Sequence, residues 1–157
     1  MPEVKTGPLR VLLVSSSGGV LLDLLGLRPW WSQHTVHWAV VRAPDTEAAV
    51  RGAAHTWVRE HSARRPFGLL LGLRRAAAIL RSPRPDVVVS AGTGAAVPFF
   101  LAARALGIPA FWVSTLNLVE TPGIAARICA RLARGVLLQR ESMLAAHPTG
   151  IVIGELY

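Results

Sequence analysis

Two glycine-rich segments in this sequence have the composition of a phosphate-binding turn, and each follows a short apolar run. Adjacent glycines let backbone N–H groups approach an anion closely, and the start of a following helix adds a favourable dipole. Neither segment has the GxGxxG spacing of a dinucleotide-binding turn or the lysine of a P-loop. They therefore indicate contact with a diphosphate or a sugar, with close helix–sheet packing as the alternative. The residues concerned are Ser16, Ser17, Gly18 and Gly19 in the first segment and Gly92, Thr93 and Gly94 in the second.

A third polar segment, at 114–121, contains Asn117 and Glu120. A glutamate here can act as a general base, bind sugar hydroxyls, or cap the following helix, where its charge is favoured. Capping is the best supported of these roles. No GxSxG turn or Ser-His-Asp arrangement is present, so we assign no catalytic residue from the sequence.

Metal and disulfide chemistry are not expected. Cys129 is the only cysteine, which excludes a disulfide scaffold and a cysteine-based zinc site. The five histidines form no ligand cluster, and His34 and His37, three apart on a predicted strand, lie on opposite faces. Cys129 lies between apolar residues of a predicted helix, so we expect an inert core thiol.

The rest of the chain predicts elements that bring these segments to one edge of a sheet. Apolar runs alternate with helical patterns, and the runs are continuously apolar, as in strands covered on both faces. This pattern predicts one doubly wound, mostly parallel α/β domain, in which ligands bind beyond the carboxyl ends of the strands. Asp45 is expected to cap its helix. The predicted strands are 9–15, 34–41, 54–58, 86–90, 110–114, 135–139 and 150–153, and the predicted helices are 20–27, 45–52, 67–81, 94–106 and 122–133.

The predicted helix 67–81 carries apolar residues on its outer face as well as on the face that packs on the sheet. A solvated face does not need such residues, and apolar side chains ringed by cations suit an anionic bilayer surface. Burial under a loop or a partner subunit is the alternative. The outer apolar residues are Phe67, Leu70 and Leu71, and the arginines around them are Arg64, Arg65, Arg74 and Arg75.

The net charge of +8 comes from 17 basic and 9 acidic residues, and every basic residue except Lys5 is an arginine. This surplus favours an anionic partner: nucleic acid, a lipid surface or a phosphorylated substrate. Nucleic acid is the least favoured, because the arginines are not interleaved with aromatic residues. No apolar run reaches about 20 residues and the N-terminus lacks a signal pattern, so we expect neither a transmembrane helix nor a signal peptide.

The order of these motifs resembles a family of glycosyltransferases. The motifs are SSGG at 16–19, PDVVV followed by SAGTG at 85–94, GIP at 107–109, and ETPG at 120–123 before a helix ending in ARLA. The chain is similar to the N-terminal half of the peptidoglycan lipid-intermediate GlcNAc transferase over roughly 9–157. It is more similar to stand-alone accessory subunits, namely the anchoring subunit of the dolichol-diphosphate-GlcNAc transferase and its bacterial relatives in exopolysaccharide synthesis.

The resemblance implies that 1–157 is a single Rossmann-like lobe, the N-terminal half of a GT-B glycosyltransferase. This lobe would be a peripheral protein on the cytoplasmic face of the membrane, where it binds a polyprenyl-diphosphate-linked sugar. A separate small catalytic subunit would bind the UDP-sugar, with UDP-GlcNAc as the type case, and no cofactor is implied. The acceptor-binding residues implied are Ser16, Ser17, Gly18, Gly19, Gly92, Thr93, Gly94, Asn117 and Glu120, and the partner interface implied is Gly154, Glu155, Leu156 and Tyr157.

Two departures from the family pattern bear on activity. Val20 stands where the family usually has histidine, and Ser114, Thr115 and Leu118 fall where Glu-Ser and an arginine are common. The chain is therefore expected to be a non-catalytic or co-catalytic subunit of a hexosyltransferase. The alternative is a free-standing α/β enzyme or nucleotide-binding protein that acts on a soluble phosphorylated metabolite.

Overall fold

The computed structural model describes residues 6–60, 65–82, 84–92, 94–114 and 123–156. Within them, seven strands form one sheet in the order β3-β2-β1-β4-β5-β6-β7, and every neighbouring pair is parallel. The strands are β1 (Arg10–Ser15), β2 (Thr35–Val41), β3 (His55–Val58), β4 (Val87–Ser90), β5 (Ala110–Val113), β6 (Gly135–Leu138) and β7 (Ile151–Val152).

The helices flank both faces of this sheet, which confirms the predicted doubly wound α/β fold. Each predicted element is present with its ends shifted by a few residues, while the short helix at Arg28–Trp31 and a 3₁₀ helix at Glu141–Ala145 were not predicted. The helices are α1 (Gly19–Gly26), α2 (Arg28–Trp31), α3 (Pro44–Ala49), α4 (Pro66–Arg81), α5 (Ala96–Leu106) and α6 (Ile124–Leu132). None of the helices in the described part of the chain is long and apolar enough to cross a membrane.

The interior strand β1 is buried on both faces, as its continuous apolar sequence predicts. Leu12 and Val14 face the core beneath α4, α5 and α6. Val11 and Leu13 face the opposite core beneath α1. Alternate residues of one strand therefore belong to two separate cores, and each layer of helices packs on its own apolar face of the sheet.

The expected cap of α3 is wrong. The helix begins at Pro44, and Ala43 takes the N-cap position. Its first turn is closed by Thr46, whose Oγ1 accepts the N–H of Ala43 at 2.9 Å and donates to the carbonyl of Val41 at 2.7 Å. Asp45 Oδ1 accepts the N–H of Thr46 at 2.9 Å, which leaves Oδ2 to bind another part of the chain.

The histidines at 34 and 37 have separate structural roles, as their spacing predicts. The Nδ1 atom of His34 accepts the N–H of Leu9 at 3.1 Å. The Nε2 atom of His37 lies 2.8 Å from Thr56 Oγ1 on the neighbouring strand. Burial and the nearby His55 lower the pKa of His37. Within the described ranges, no group of three or more His, Cys, Asp or Glu residues is placed to hold a metal ion.

Cys129 lies on the inner face of α6 with no exposed surface, as predicted for a core thiol. Burial raises its pKa to about 12, because the thiolate is disfavoured away from water.

We therefore expect Cys129 to resist iodoacetamide at pH 8 in the folded chain and to react readily in concentrated urea, since the thiolate is the reacting species. Mass spectrometry of timed samples measures both rates. Native-state alkylation as fast as that of the unfolded chain would contradict this burial.

Candidate functional site

The sheet reverses its strand order between β1 and β4, and both predicted glycine segments lie there. β1 pairs with β2 on one side and with β4 on the other, with Val14 opposite Ser90. Ser90 Oγ donates to the carbonyl of Val14 at 2.7 Å, which ties the carboxyl ends of the two strands together. Since the following helices pack on opposite faces, the loops after these strands diverge and leave the crevice where α/β sheets bind ligands.

The first loop binds a carboxylate of the protein itself, that of Asp45. The N–H of Gly18 and the hydroxyl of Ser17 both donate to Asp45 Oδ2 at 2.9 Å. These bonds, the one from Gly18 above all, lower the pKa of the Asp45 carboxyl. Ser16 is buried, and α1 begins at Gly19. Two of the donors predicted for a diphosphate, the Ser17 hydroxyl and the Gly18 N–H, are therefore engaged by the Asp45 carboxylate.

The second loop is shaped by packing. Gly92 is buried with a φ of +115°, and a Cβ atom there would lie 3.1 Å from Trp112 Nε1. Both features favour glycine at this position. They agree with close packing, the alternative to ligand contact that the sequence leaves open. Gly94 is half-buried, and Thr93 lies outside the described residues. The indole N–H of Trp112 is buried and has no hydrogen-bond partner in the described part of the chain.

A carboxylate also occupies the start of the helix after this loop. The N–H of Ala95, the N-cap residue of α5, donates to Glu60 Oε1 at 3.1 Å. Glu60 follows β3, as Asp45 follows β2. Each helix that starts at the crevice is thus satisfied by a side chain from the strand ends beside it.

Beside the second loop, a cleft of about 1010 Å³ lies between α4 and α5. Four arginines line it: Arg42, Arg59, Arg65 and Arg75. The guanidinium of Arg42 lies 5.4 Å from the ring centre of Trp57, and Arg75 Nη2 donates to the Trp57 carbonyl at 3.1 Å. Trp57, Leu71 and Phe99 give the same cleft apolar walls.

Of the groups lining this cleft, sequence reasoning missed Arg42, Trp57, Arg59 and Glu60. Their signal was position: all four stand at or just after the ends of the second and third apolar runs. The carboxyl ends of parallel strands share one edge, so these residues belong to the same edge as the glycine segments.

The outer face of α4 is as apolar as predicted. Phe67, Leu70 and Leu71 expose 84%, 56% and 66% of their surface and lie together near the start of this helix. The opposite face is buried through Gly72, Ala76 and Leu80. The predicted arginines at 65, 74 and 75 are exposed, and Arg64 lies outside the described residues.

The C-terminal segment makes contacts within the chain. Glu155 Oε1 accepts from Arg140 Nε at 2.6 Å, and Leu156 packs over Gly26, where a Cβ atom would meet it at 2.8 Å. Gly154 has a φ of +91°, and Tyr157 lies outside the described residues. The exposed apolar residues in this part of the fold lie just before the predicted interface, at Ile151, Val152 and Ile153 on the β7 edge.

A buried polar cluster joins α1 to the ends of β5 and β6. Gln139 Nε2 donates to Asp23 Oδ1 at 3.1 Å and to the carbonyl of Ser114 at 3.2 Å. The sequence does not reveal this cluster, because Asp23 sits in an otherwise apolar helix. The predicted Asn117 and Glu120 belong to the segment 115–122, which lies outside the described residues.

The sequence matches no family model and no curated protein. Solved structures nevertheless share its fold. MurG from Acinetobacter baumannii aligns with a TM-score of 0.70 at 21% identity, over 94% of this chain and 44% of MurG. UDP-N-acetylglucosamine 2-epimerase from Rickettsia bellii gives 0.71 at 14%, over 95% and 45% of the two chains. A glycosyltransferase from Rickettsia africae gives 0.68 at 16%, over 94% and 43%.

These likenesses establish the fold of the chain. It is a Rossmann-like lobe of the kind that forms one half of a GT-B protein, as predicted. The chain spans less than half the length of each of these three proteins.

The Asp45 contact has a pH signature. Its pKa in the folded chain lies below the ordinary value of 3.8, so its contribution to stability is present above that value and is lost as the pH falls through the lowered pKa. Asparagine imitates the protonated acid. We expect Asp45→Asn to lower the free energy of unfolding by at most about 1 kcal/mol at pH 7, because the group is exposed and screened.

Urea unfolding of both proteins from pH 7 downward measures this effect. The difference between them should shrink towards zero as the pH falls below 3.8 and through the lowered pKa, because the wild-type carboxyl then also becomes neutral. A difference that stays constant with pH would show that the charge on Asp45 does not stabilise the loop.

Proposed function

We propose that this chain is the acceptor-binding lobe of a membrane-associated UDP-sugar glycosyltransferase in lipid-linked oligosaccharide or exopolysaccharide synthesis. It binds a polyprenyl-diphosphate-linked sugar at the cytoplasmic face of the membrane and recruits a separate subunit that holds the UDP-sugar. The observation that carries this proposal is the apolar outer face of α4. Phe67, Leu70 and Leu71 are exposed next to an arginine-lined cleft, at the sheet edge where ligands bind.

The outer face of α4 has the energetics of a peripheral membrane contact. Burying a large apolar side chain in an acyl boundary contributes roughly 1.5–3 kcal/mol when burial is complete. Each arginine near an anionic surface adds about 1 kcal/mol, and Arg65 and Arg74 are exposed beside the apolar residues. Together these terms support reversible binding to the membrane surface.

The proposal of a separate catalytic subunit rests on the resemblance to stand-alone accessory subunits, because a GT-B transferase needs two lobes. The described residues form one such lobe, and the sequence resemblance implies that a small second subunit supplies the other. The exposed β7 edge, Ile151 and Val152, lies next to the predicted interface at Gly154, Glu155 and Leu156. A strand edge with apolar side chains is a natural surface for such a partner.

A free-standing enzyme for a soluble phosphorylated metabolite is the second candidate. The arginines of the cleft favour it, because they can bind a phosphate without any membrane. Phe67 and Leu70 count against it, since a soluble ligand in the cleft leaves both side chains in water.

Vesicle binding tests the membrane contact. We expect Phe67→Ser combined with Leu70→Ser to weaken partition onto vesicles containing anionic phospholipid by roughly 10- to 100-fold, from the apolar transfer energy lost. The matched control is Leu22→Ser with Ile124→Ser, which removes two side chains that are 56% and 46% exposed on other helices. Sedimentation of both proteins with vesicles measures the effect, and equal partition of the two variants would refute the assignment.

Co-purification tests the partner. The tagged chain, extracted from native membranes, should retain a small subunit that binds UDP-sugar, and the pair should transfer sugar to a polyprenyl-diphosphate acceptor. Val152→Arg, which places a charge on the β7 edge, should release that subunit, whereas Ile124→Arg should not. Sugar transfer by the isolated chain alone would favour the free-standing enzyme instead.

A further inference from the structure

The cleft between α4 and α5 combines two properties that rarely occur together on a surface. Its described lining holds four guanidinium groups and a single carboxylate, that of Glu60. Its walls also include Trp57, Leu71 and the buried ring of Phe99. A solvated patch needs no apolar walls, and an apolar groove does not gather four cations.

From this combination we propose that the cleft binds the phosphate head and adjoining hydrocarbon of a single amphiphilic ligand, an isoprenoid or other lipid phosphate. This inference deepens the proposed function, because it gives the lipid-linked acceptor a site distinct from the first glycine loop.

The charge balance selects a phosphate. Arginine forks bind phosphate oxygens with paired, charge-assisted hydrogen bonds. Glu60 lines the cleft and Glu47 pairs with Arg42 at 2.6 Å, so the four arginines keep a surplus of about two positive charges. A single carboxylate ligand would not balance this surplus, whereas a phosphate or diphosphate does. The guanidinium of Arg42 is held in place over Trp57 and by its ion pair with Glu47, which reduces the entropy lost when it contacts a ligand.

The volume of the cleft and its apolar walls favour an amphiphilic ligand over a phosphate alone. About 1010 Å³ exceeds what a phosphate alone fills, and it lies at the upper end of sites that hold whole small molecules. Leu71 lines the cleft and is also 66% exposed beside Phe67 and Leu70. The apolar wall of the cleft therefore continues into the surface proposed to face the membrane, and a lipid can enter without crossing water.

Glu60 sets the strength of this site. Its carboxylate accepts the N–H of Ala95 at 3.1 Å, so it satisfies the start of α5. The same charge repels an incoming phosphate at close range. Glutamine at this position keeps an oxygen for the Ala95 N–H and removes the charge. Glu60→Gln is therefore expected to bind a lipid phosphate more tightly.

The test uses calorimetric titration of the full chain with farnesyl diphosphate below its micelle concentration. Farnesol, which lacks the phosphates, and inorganic pyrophosphate, which lacks the chain, serve as the two partial ligands. Both should bind at least about tenfold more weakly than farnesyl diphosphate. Pyrophosphate binding as tight as that of farnesyl diphosphate would overturn the amphiphile and leave a soluble phosphate site.

Variants with matched net charge locate the site. Arg42→Gln with Arg59→Gln should weaken farnesyl diphosphate binding about tenfold or more, whereas Arg51→Gln with Arg81→Gln, exposed arginines outside the cleft, should not. Glu60→Gln should tighten binding several-fold, and Glu141→Gln, exposed on the 3₁₀ helix, should leave it unchanged. Equal effects in the cleft and control variants would overturn the proposal. Arg59→Gln alone repeats the test with the contact between Arg42 and Trp57 left intact.

The membrane contact and the lipid-phosphate site can be refuted independently of each other. The arginines at 42 and 59 lie outside the surface assigned to the membrane, so their loss should leave vesicle binding intact. If farnesyl diphosphate does not bind while the Phe67 and Leu70 variants still lose vesicle binding, the cleft proposal is refuted and the membrane-bound lobe remains.

Discussion

The pairing of β1 with β4 is the constraint on which the rest of this structure depends. Because β1 is buried on both faces, the chain must supply helices to both sides of the sheet, and the strand order must reverse at its centre. The reversal sends the helices after β1 and β4 to opposite faces. The ligand crevice is therefore a consequence of covering two apolar faces, and the bond from Ser90 to Val14 sets its narrow end.

The helices that begin at the crevice need hydrogen-bond acceptors for their first N–H groups, and acidic side chains of the same chain supply them. Two helices begin there, and their first N–H groups lack partners within the helix. Asp45 and Glu60 satisfy Gly18 and Ala95, one acid for each helix. The two acids differ in what surrounds them. Asp45 closes a small exposed loop, whereas Glu60 stands in a cleft with four arginines. A carboxylate therefore occupies the first glycine loop, whereas the carboxylate beside the second loop forms part of the wall of a cationic cleft.

The sequence predicts the sheet and its covered faces because both depend on continuous apolar runs, as in 9–15 and 86–90. It also predicts the exposed face of α4, since helical spacing alone separates Leu70 and Leu71 from Ala76 and Leu80. The partner of Asp45 cannot be predicted in the same way. An aspartate before a helix has the local pattern of a cap, and only the approach of the first loop across 27 residues gives it another ligand.

The cleft was missed for a related reason. Its arginines come from the ends of β2 and β3 and from α4, so the periodicity of a single element does not bring Arg42, Arg59 and Arg75 together, although the shared strand edge places the first two. Buried polar contacts such as Asp23 with Gln139, which are 116 residues apart, are equally hidden. Sequence patterns report the periodicity of single elements, whereas sites at a sheet edge are assembled from the ends of several.

Val20 follows from the same geometry. It lies in the first turn of α1 and is 8% exposed, in the core beneath that helix with Leu21 and Leu24. A histidine in this place, as in the resembling family, would need a polar partner or would lose apolar burial. With valine at this position, Asp45 is the ionised group bound to the first loop, and it is an anion. The Asp45 charge therefore disfavours an anionic ligand at the first loop, whereas the proposed phosphate site lies among the arginines of the cleft between α4 and α5.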